Sequence, residues 1–254
     1  MHQPTLRVLD ILDLLAKSST PLRLTDFSKA LDIPKSTILP ILQTLCKRKY
    51  LHQNQAGLYS AGTAIFSMGA AFSGCFPILD YDNHHLEELA QELQETCYFG
   101  ALEDGQVLYL SKQDSPQPLR VLTGTGRRLP AYATSLGKAL LMDHSAADLQ
   151  NLYPNGLSAL TAHTITDPAQ LAVQLAQARA DGYTWEAEES TEHVRCFAVP
   201  VRKHGAIIAA ISVAIPLFRY EEEQRSRIIA ALQKQAAQIS RTMEQTDAHF
   251  GELF

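Results

Sequence analysis

Apolar residues recur every three or four positions through Leu6–Ala16, placing Val8, Leu9, Ile11, Leu12 and Leu15 along one side of a helix. After a loop at Ser18–Pro21, the stretch Leu24–Leu45 reads as two short amphipathic helices around a tight turn. Thr25 is placed to cap the first, with Ser28 completing only half of a capping box, and Phe27, Ala30 and Leu31 form its inward stripe. Asp32-Ile33-Pro34 makes the turn, because proline stops one helix and suits the first turn of the next. The second helix is expected from about Lys35 to Lys49. Ile38, Ile41, Leu42 and Leu45 point inward, which leaves Lys35, Ser36, Thr37, Gln43, Thr44 and Lys47 outside. Tyr50–Gln53 and Gly57–Ala61 then read as a β-hairpin.

Helix, helix, turn, helix and hairpin in that order are the pattern of a winged helix-turn-helix. An apolar back for docking and an outer face of donors is what a helix lying against DNA requires. The residues expected to meet DNA are Lys35, Ser36, Thr37, Leu39, Gln43 and Lys47 on the second helix. Arg23 and Thr25 at the start of the first, and Gln53 and Asn54 in the hairpin, join them. A generic three-helix bundle with a hairpin is the structural alternative. Pro40 argues against a regular second helix, since it removes the bond to the Ser36 carbonyl at a cost of roughly 3 kcal/mol. It predicts a bent or late-starting helix that displays Lys35–Leu39.

Further along, Thr63–Ser73 is apolar and rich in small residues, suited either to a linker helix that packs on its own copy or to an ordinary buried helix. Tyr81–Thr96 carries Leu86, Leu89, Ala90 and Leu93 at helical spacing. Strands are expected at Tyr98–Leu102, Val107–Lys112, Leu119–Leu122, Tyr183–Ala187, Cys196–Val201 and Ile207–Ala214. Helices are expected at Leu136–Asp143, Ala146–Leu152, Pro168–Asp181 and Tyr220–Thr246. This mixture predicts an α+β chain: a winged head over 1–62, a linker helix over 63–79 and an α/β sheet domain with a pocket over 80–254.

Charge sharpens this division. Residues 1–60 hold 8 Lys and Arg against 4 acids, none of them Glu, whereas 61–254 hold 14 against 23. A basic head on an acidic body fits a head that meets phosphates. At 46% hydrophobic and 19% charged the chain can bury a normal core. No run approaches the roughly 20 apolar residues of a membrane span. The four widely spaced cysteines, with no CxxC, suit reduced thiols in the cytoplasm.

Enzyme signatures are weak. Gly137-Lys138 is followed by Ala139 rather than Ser or Thr, so it is no phosphate loop, and Gly124-Thr125-Gly126 reads as a turn. His84-His85 reads as a solvated helix start rather than a ligand pair, and Cys196 by itself as a small buried residue. No activating base stands beside Cys196, since His193 is near only in sequence. An enzyme acting on a small acid is therefore the weaker rival, and a constitutive DNA binder whose body only oligomerises is the other.

The chain resembles the IclR family of bacterial transcription regulators over essentially its full length. The matching blocks are Pro34-Lys35-Ser36-Thr37 with Leu42-Gln43-Thr44-Leu45, then Leu129-Pro130-Ala131 with Thr134-Ser135-Leu136-Gly137-Lys138-Ala139-Leu140-Leu141. Gly182-Tyr183, Glu188-Glu189, Val194-Arg195-Cys196-Phe197-Ala198, Pro200 and Ala209-Ala210-Ile211-Ser212-Val213 complete them. The resemblance implies a winged head, a GAF-like body that binds a small organic acid without any metal or cofactor, and dimers that often pair into tetramers. It implies that Ser135 and Leu136 offer backbone N–H groups to a carboxylate. Glu186, Cys196 and Ser212 would add polar side chains, and Val121, Leu129 and Val194 an apolar wall. Four positions depart from the family pattern: Pro40 stands where arginine is usual, His193 where glycine is common, Glu186 where aspartate can occur, and Ala214 where a second serine can occur. A pocket with one hydroxyl fewer and a longer acid predicts an effector other than glyoxylate or pyruvate, of the sugar-acid or aldonate type. The expected role is a repressor of a catabolic operon, with operator DNA and the protein's own copy as partners.

Overall fold

The computed structural model describes residues 1–18, 20–75, 78–119, 121 and 123–245, in two compact units that divide after Cys75. The first unit holds α1 (Gln3–Lys17), α2 (Leu24–Ala30), α3 (Lys35–Lys47), the hairpin β1 (Leu51–Gln53) and β2 (Tyr59–Ala61), and α4 (Thr63–Cys75). Its core is small: Ile11, Phe27, Ile38, Leu42, Leu45, Leu51 and Tyr59 are buried together, with Phe27 edge-on to Tyr59. The hairpin is antiparallel, pairing Leu51 with Ala61.

Several local expectations are corrected. The cap of α2 is Arg23, not Thr25: the Arg23 backbone N–H donates to the Asp26 carboxylate at 2.7 Å, which suits an acid in a first helical turn. Ala30 is exposed, because α2 ends there, and of the expected stripe Phe27 and the half-buried Leu31 turn inward. Leu9 is 50% exposed despite its helical spacing. Pro40 does not delay α3, which starts at Lys35 directly after Pro34 and runs through it. The lost bond falls on Ser36, which is exposed, so water can take its carbonyl. The Thr44 hydroxyl donates to the Pro40 carbonyl at 2.8 Å.

The second unit begins with α5 (Ile78–Leu93), followed by β3 (Thr96–Glu103), β4 (Gln106–Gln113), β5 (Arg128–Pro130), α6 (Ser135–Leu140), α7 (Ala146–Leu152) and α8 (Pro168–Asp181). The strands β6 (Thr184–Ala187), β7 (Val194–Lys203) and β8 (Ala206–Pro216) and the helix α9 (Arg225–Gln245) close it. Six strands form one antiparallel sheet in the order β5-β4-β3-β8-β7-β6. Period-two alternation then sorts the side chains. Cys97, Phe99, Phe197, Val199, Ile211 and Val213 pack beneath α5 and α9. Tyr98, Tyr109, Ala198, Ala210 and Ala214 face the opposite side, with α6, α7 and α8. The fold is thus a helix-turn-helix unit followed by a mixed α/β unit.

Here too some boundaries move. No strand covers the described part of Leu119–Leu122; Leu119 is a solvent-exposed bend, and residues 120 and 122 lie outside the described set. The edge strand is β5 instead, paired with β4 through Gln106 and Pro130. A proline suits that place, since an edge strand has one unpaired side. The last helix starts at Arg225 after two 3₁₀ turns, and its expected end at residue 246 also falls outside. Gly124-Thr125-Gly126 is the expected turn, with Gly126 at a φ of 79°. His85 is not solvated but buried within α5, its Nδ1 2.6 Å from Gln235 on α9. Among the described residues, no helix is long and apolar enough to cross a membrane.

Candidate functional site

In the first unit, α3 divides as its sequence does. Ile38, Leu42 and Leu45 are buried, while Lys35, Ser36, Gln43 and Lys47 are exposed and Leu39 is 37% exposed. Thr37 and Thr25 are half-buried, and Thr25 is 3.4 Å from the Asp26 carboxylate. Arg23 is exposed at the start of α2. Of the hairpin residues, Gln53 is free to solvent, whereas Asn54 builds the turn: its Oδ1 accepts from the N–H groups of Ala56 and Leu58, each at 3.0 Å. One helix therefore shows a continuous outer face of cations, hydroxyls and an amide, supported by an apolar back.

In the second unit, seven of the eight expected pocket residues line one narrow, partly open cavity: Val121, Leu129, Ser135, Leu136, Val194, Cys196 and Ser212. The sheet register explains how positions so far apart meet. Tyr98 pairs with Ser212 and Ser212 with Ala198; one row along, Ala214 pairs with Cys196 and Cys196 with Glu186. All of these lie on the same face. Sequence reasoning missed Tyr98, Tyr109, Thr123, Thr134, Ser190 and Thr191, which also line the cavity. Alternation along the strands marks both tyrosines as inward-facing, but nothing local marks Ser190 and Thr191. The cavity is tight, leaving about 20 Å³ for the centre of a water-sized sphere, little more than one water needs. The Tyr98 hydroxyl donates to the Val121 carbonyl at 3.2 Å and accepts the Thr123 N–H at 3.4 Å, tying both lining residues to β3. Burial pushes the Tyr98 phenol up to about 12.

Glu186 is the eighth residue and stands behind this lining. It is fully buried, accepting the Glu189 N–H at 2.8 Å and the Ser190 hydroxyl at 3.2 Å. Burial pushes its carboxyl up to about 7, against the hydrogen bonds from the Cys196 thiol and the Glu189 N–H. The Cys196 thiol is held well above its ordinary range, first by burial and then by the neighbouring Glu186. A thiol held protonated in this way is a poor nucleophile. Beside them Lys138, wholly buried on α6, donates to Glu189 at 2.5 Å. Burial lowers its affinity for the proton, and Glu189 restores part of it. The second Glu189 oxygen accepts the Ile165 N–H at 3.3 Å, and its backbone carbonyl the Thr164 hydroxyl at 2.7 Å.

A wider hollow of about 600 Å³ lies between α8 and β6. It is lined in part by Lys138 and Glu189, shares no lining residue with the smaller cavity and holds none of the expected effector residues. Among the described residues, no group of three or more His, Cys, Asp or Glu is arranged to hold a metal.

Residues 75–241 match the family model described as bacterial transcriptional regulator IclR C-terminal, and residues 5–55 match the IclR helix-turn-helix domain. The HTH-type transcriptional regulator XynR of Escherichia coli is 32% identical over 240 residues, covering 93% of this chain and 95% of that protein. The HTH-type transcriptional regulator KdgR of Escherichia coli is 32% identical over 248 residues, covering 96% and 94%. An IclR homolog from Microbacterium hydrocarbonoxydans, solved in complex with 4-hydroxybenzoate, superposes with a TM-score of 0.83 at 24% identity, covering 94% of this chain and 98% of that one.

Proposed function

The chain belongs to the IclR family of bacterial transcriptional regulators, and from that premise we propose that it is a cytoplasmic, ligand-controlled repressor of a catabolic operon for a small organic or sugar acid. Its relatives are DNA-binding regulators, not enzymes. In this reading residues 1–62 are the winged head, 63–79 the linker helix and 80–254 the effector-binding and oligomerising body. The observation that carries the proposal is the coexistence of two sites of different chemistry: the polar outer face of α3 and the narrow hydroxyl-lined cavity of the second unit.

On α3, Lys35 and Lys47 serve as phosphate contacts, while Ser36, Thr37 and Gln43 reach base edges, with Leu39 as the apolar contact. Arg23, Thr25 and Gln53 flank them on the backbone side. Asn54 supports the wing turn and keeps its amide N–H₂ for a phosphate. The effector occupies the cavity beside Cys196, Ser212 and Ser135, against Val121, Leu129, Leu136 and Val194. A ligand of several carbons fits only when the segment tied to Tyr98 gives way, so its binding distinguishes two states of the body. Operator affinity then changes by the difference in effector binding to those states.

A gel shift against the upstream region of the regulated operon tests both sites. Effector should change operator affinity, and Lys35→Ala should weaken binding at every sequence variant and lower the salt slope by about one. A Lys35→Ala loss confined to one base position would make it a base reader. Unchanged operator affinity at saturating effector would leave a constitutive DNA binder.

A homodimer through α4 is part of the same reading, with pairing into tetramers as the next level. Phe66 is 79% exposed and Met68 58% on a helix that carries no charged residue. Apolar surface of this extent calls for a partner, and a twofold axis gives the operator paired half-sites. Phe66→Asp should weaken dimerisation at least about a hundredfold, since each copy loses a burial worth roughly 1.5–3 kcal/mol. Light scattering across a dilution series reads this, and an unchanged mass at every dilution places the interface elsewhere.

A further inference from the structure

The narrow cavity has a charge problem that an acidic ligand must solve. Among the described residues its lining supplies six Ser and Thr hydroxyls, Ser135, Ser190 and Ser212 among them, the Cys196 thiol and two phenols, but no lysine or arginine. Lys138, whose charge acts on Glu186, is already engaged at 2.5 Å by Glu189. Behind the lining stands Glu186, fully buried, linked to the cavity by the Ser190 hydroxyl and paired across the strand with Cys196. The groups that face it are Cys196 from β7, Tyr109 from β4, Lys138 from α6, and Glu189 and Ser190 from the turn after β6. If Lys138, Glu189 and Glu186 were all ionised, this wall would carry one uncompensated negative charge. A ligand carboxylate would add a second, and two carboxylates that share a dry site cannot both keep their charge cheaply.

We infer that the cavity takes an anionic ligand together with one proton, which Glu186 carries, so that the bound pair is a carboxylate beside a carboxylic acid. This rests on the reading of the cavity as a carboxylate site. It deepens that reading by stating how the charge is met where the described lining carries no cation. It also gives the longer acid at position 186 a role. As a neutral group it can donate a hydrogen bond towards Cys196, Ser190 or the ligand, which a carboxylate cannot. The free carboxyl titrates near neutrality because of its burial. Below that point it already holds the proton, so affinity is independent of pH until the ligand itself titrates. Above it, each pH unit should lower affinity about tenfold, with uptake approaching one proton per site.

Isothermal titration of the full chain with D-gluconate and with 4-hydroxybenzoate, at pH 6, 7 and 8.5 in buffers of different ionisation enthalpy, measures affinity and proton uptake together. Uptake near one proton at pH 8.5, near zero at pH 6, and a Glu186→Gln variant that binds with no pH slope above 6 would support the inference. Binding with no proton uptake and no slope in the unaltered chain overturns it and leaves the carboxylate reading intact. A slope that persists in Glu186→Gln also overturns it, because another group then carries the proton. If neither acid binds, the carboxylate reading falls and takes this inference with it. Carbon-13 NMR of glutamate-labelled protein with the acid bound, assigned by Glu186→Gln, reads the same proton directly: a Glu186 carboxyl that is ionised at pH 7 in the complex overturns the inference.

Discussion

Glu189→Gln should destabilise the second unit by about 3–5 kcal/mol, because it leaves the Lys138 ammonium buried without its counter-charge. Lys138 has no access to water, and its side chain reaches Glu189 across 51 residues of sequence. The carboxylate that would be lost also orders the turn after β6: one oxygen takes the Lys138 ammonium and the other the Ile165 N–H at 3.3 Å. A glutamine keeps the shape and one acceptor but not the charge, so the loss is mainly electrostatic. The control is the double variant Lys138→Met with Glu189→Gln, which removes both charges and should recover most of the stability, since apolar replacements of buried pairs are often close to neutral. Denaturant midpoints of the single and double variants decide the matter. If the double variant is as unstable as the single, the pair acts through packing and not through charge.

Gly137→Ala should be comparably damaging, by a different route. A Cβ at position 137 would stand 2.2 Å from the Ala131 carbonyl oxygen and 2.3 Å from its Cα, contacts that no side-chain rotation can relieve. The backbone of the turn after β5 must move, and α6 with it. Overpacking of a dense core costs typically 1–3 kcal/mol, and a collision with backbone belongs at or above the upper end. The same displacement carries Ser135 and Leu136, so a variant that still folds should have lost its effector response while binding operator normally. Normal stability and normal effector affinity in Gly137→Ala would show that this approach of α6 to the turn is not required.

These two residues also show how far the chain can be read without its structure. Gly137-Lys138 is conspicuous in the sequence, and residue types alone exclude a phosphate loop there. Why each is needed is invisible locally: the glycine answers to Ala131 and the lysine to Glu189, and both contacts exist only once α6 has packed over the sheet. An isolated lysine on a short helix reads as a solvated charge, and burial reverses that reading.

The pocket was partly legible for a similar reason. Alternation along β7 and β8 puts Cys196, Ser212 and Ala214 on one face, and pairing turns that face into a row. Ser190 and Thr191 lie in a turn with no periodicity, so no local signal marks them. The edge strand was misplaced for a related cause. Leu119–Leu122 is as apolar as Arg128–Pro130, but strand pairing depends on which backbone reaches the free edge of β4 in register, and among the described residues Arg128–Pro130 does so, opposite Gln106, Val107 and Leu108.

By itself the sequence determined what local physical chemistry determines. Helical and strand periods, turn residues and the charge division were enough to place a basic three-helix head before an acidic α/β body, and they separated the outer face of α3 from its apolar back. Only the tertiary structure decided which charges lose their water and which partners they find instead. Desolvation is a property of everything that packs around a group. Glu186, Lys138 and Glu189 become one buried electrostatic unit because α6, β6 and the turn after it converge, and no stretch of neighbouring residues encodes that convergence.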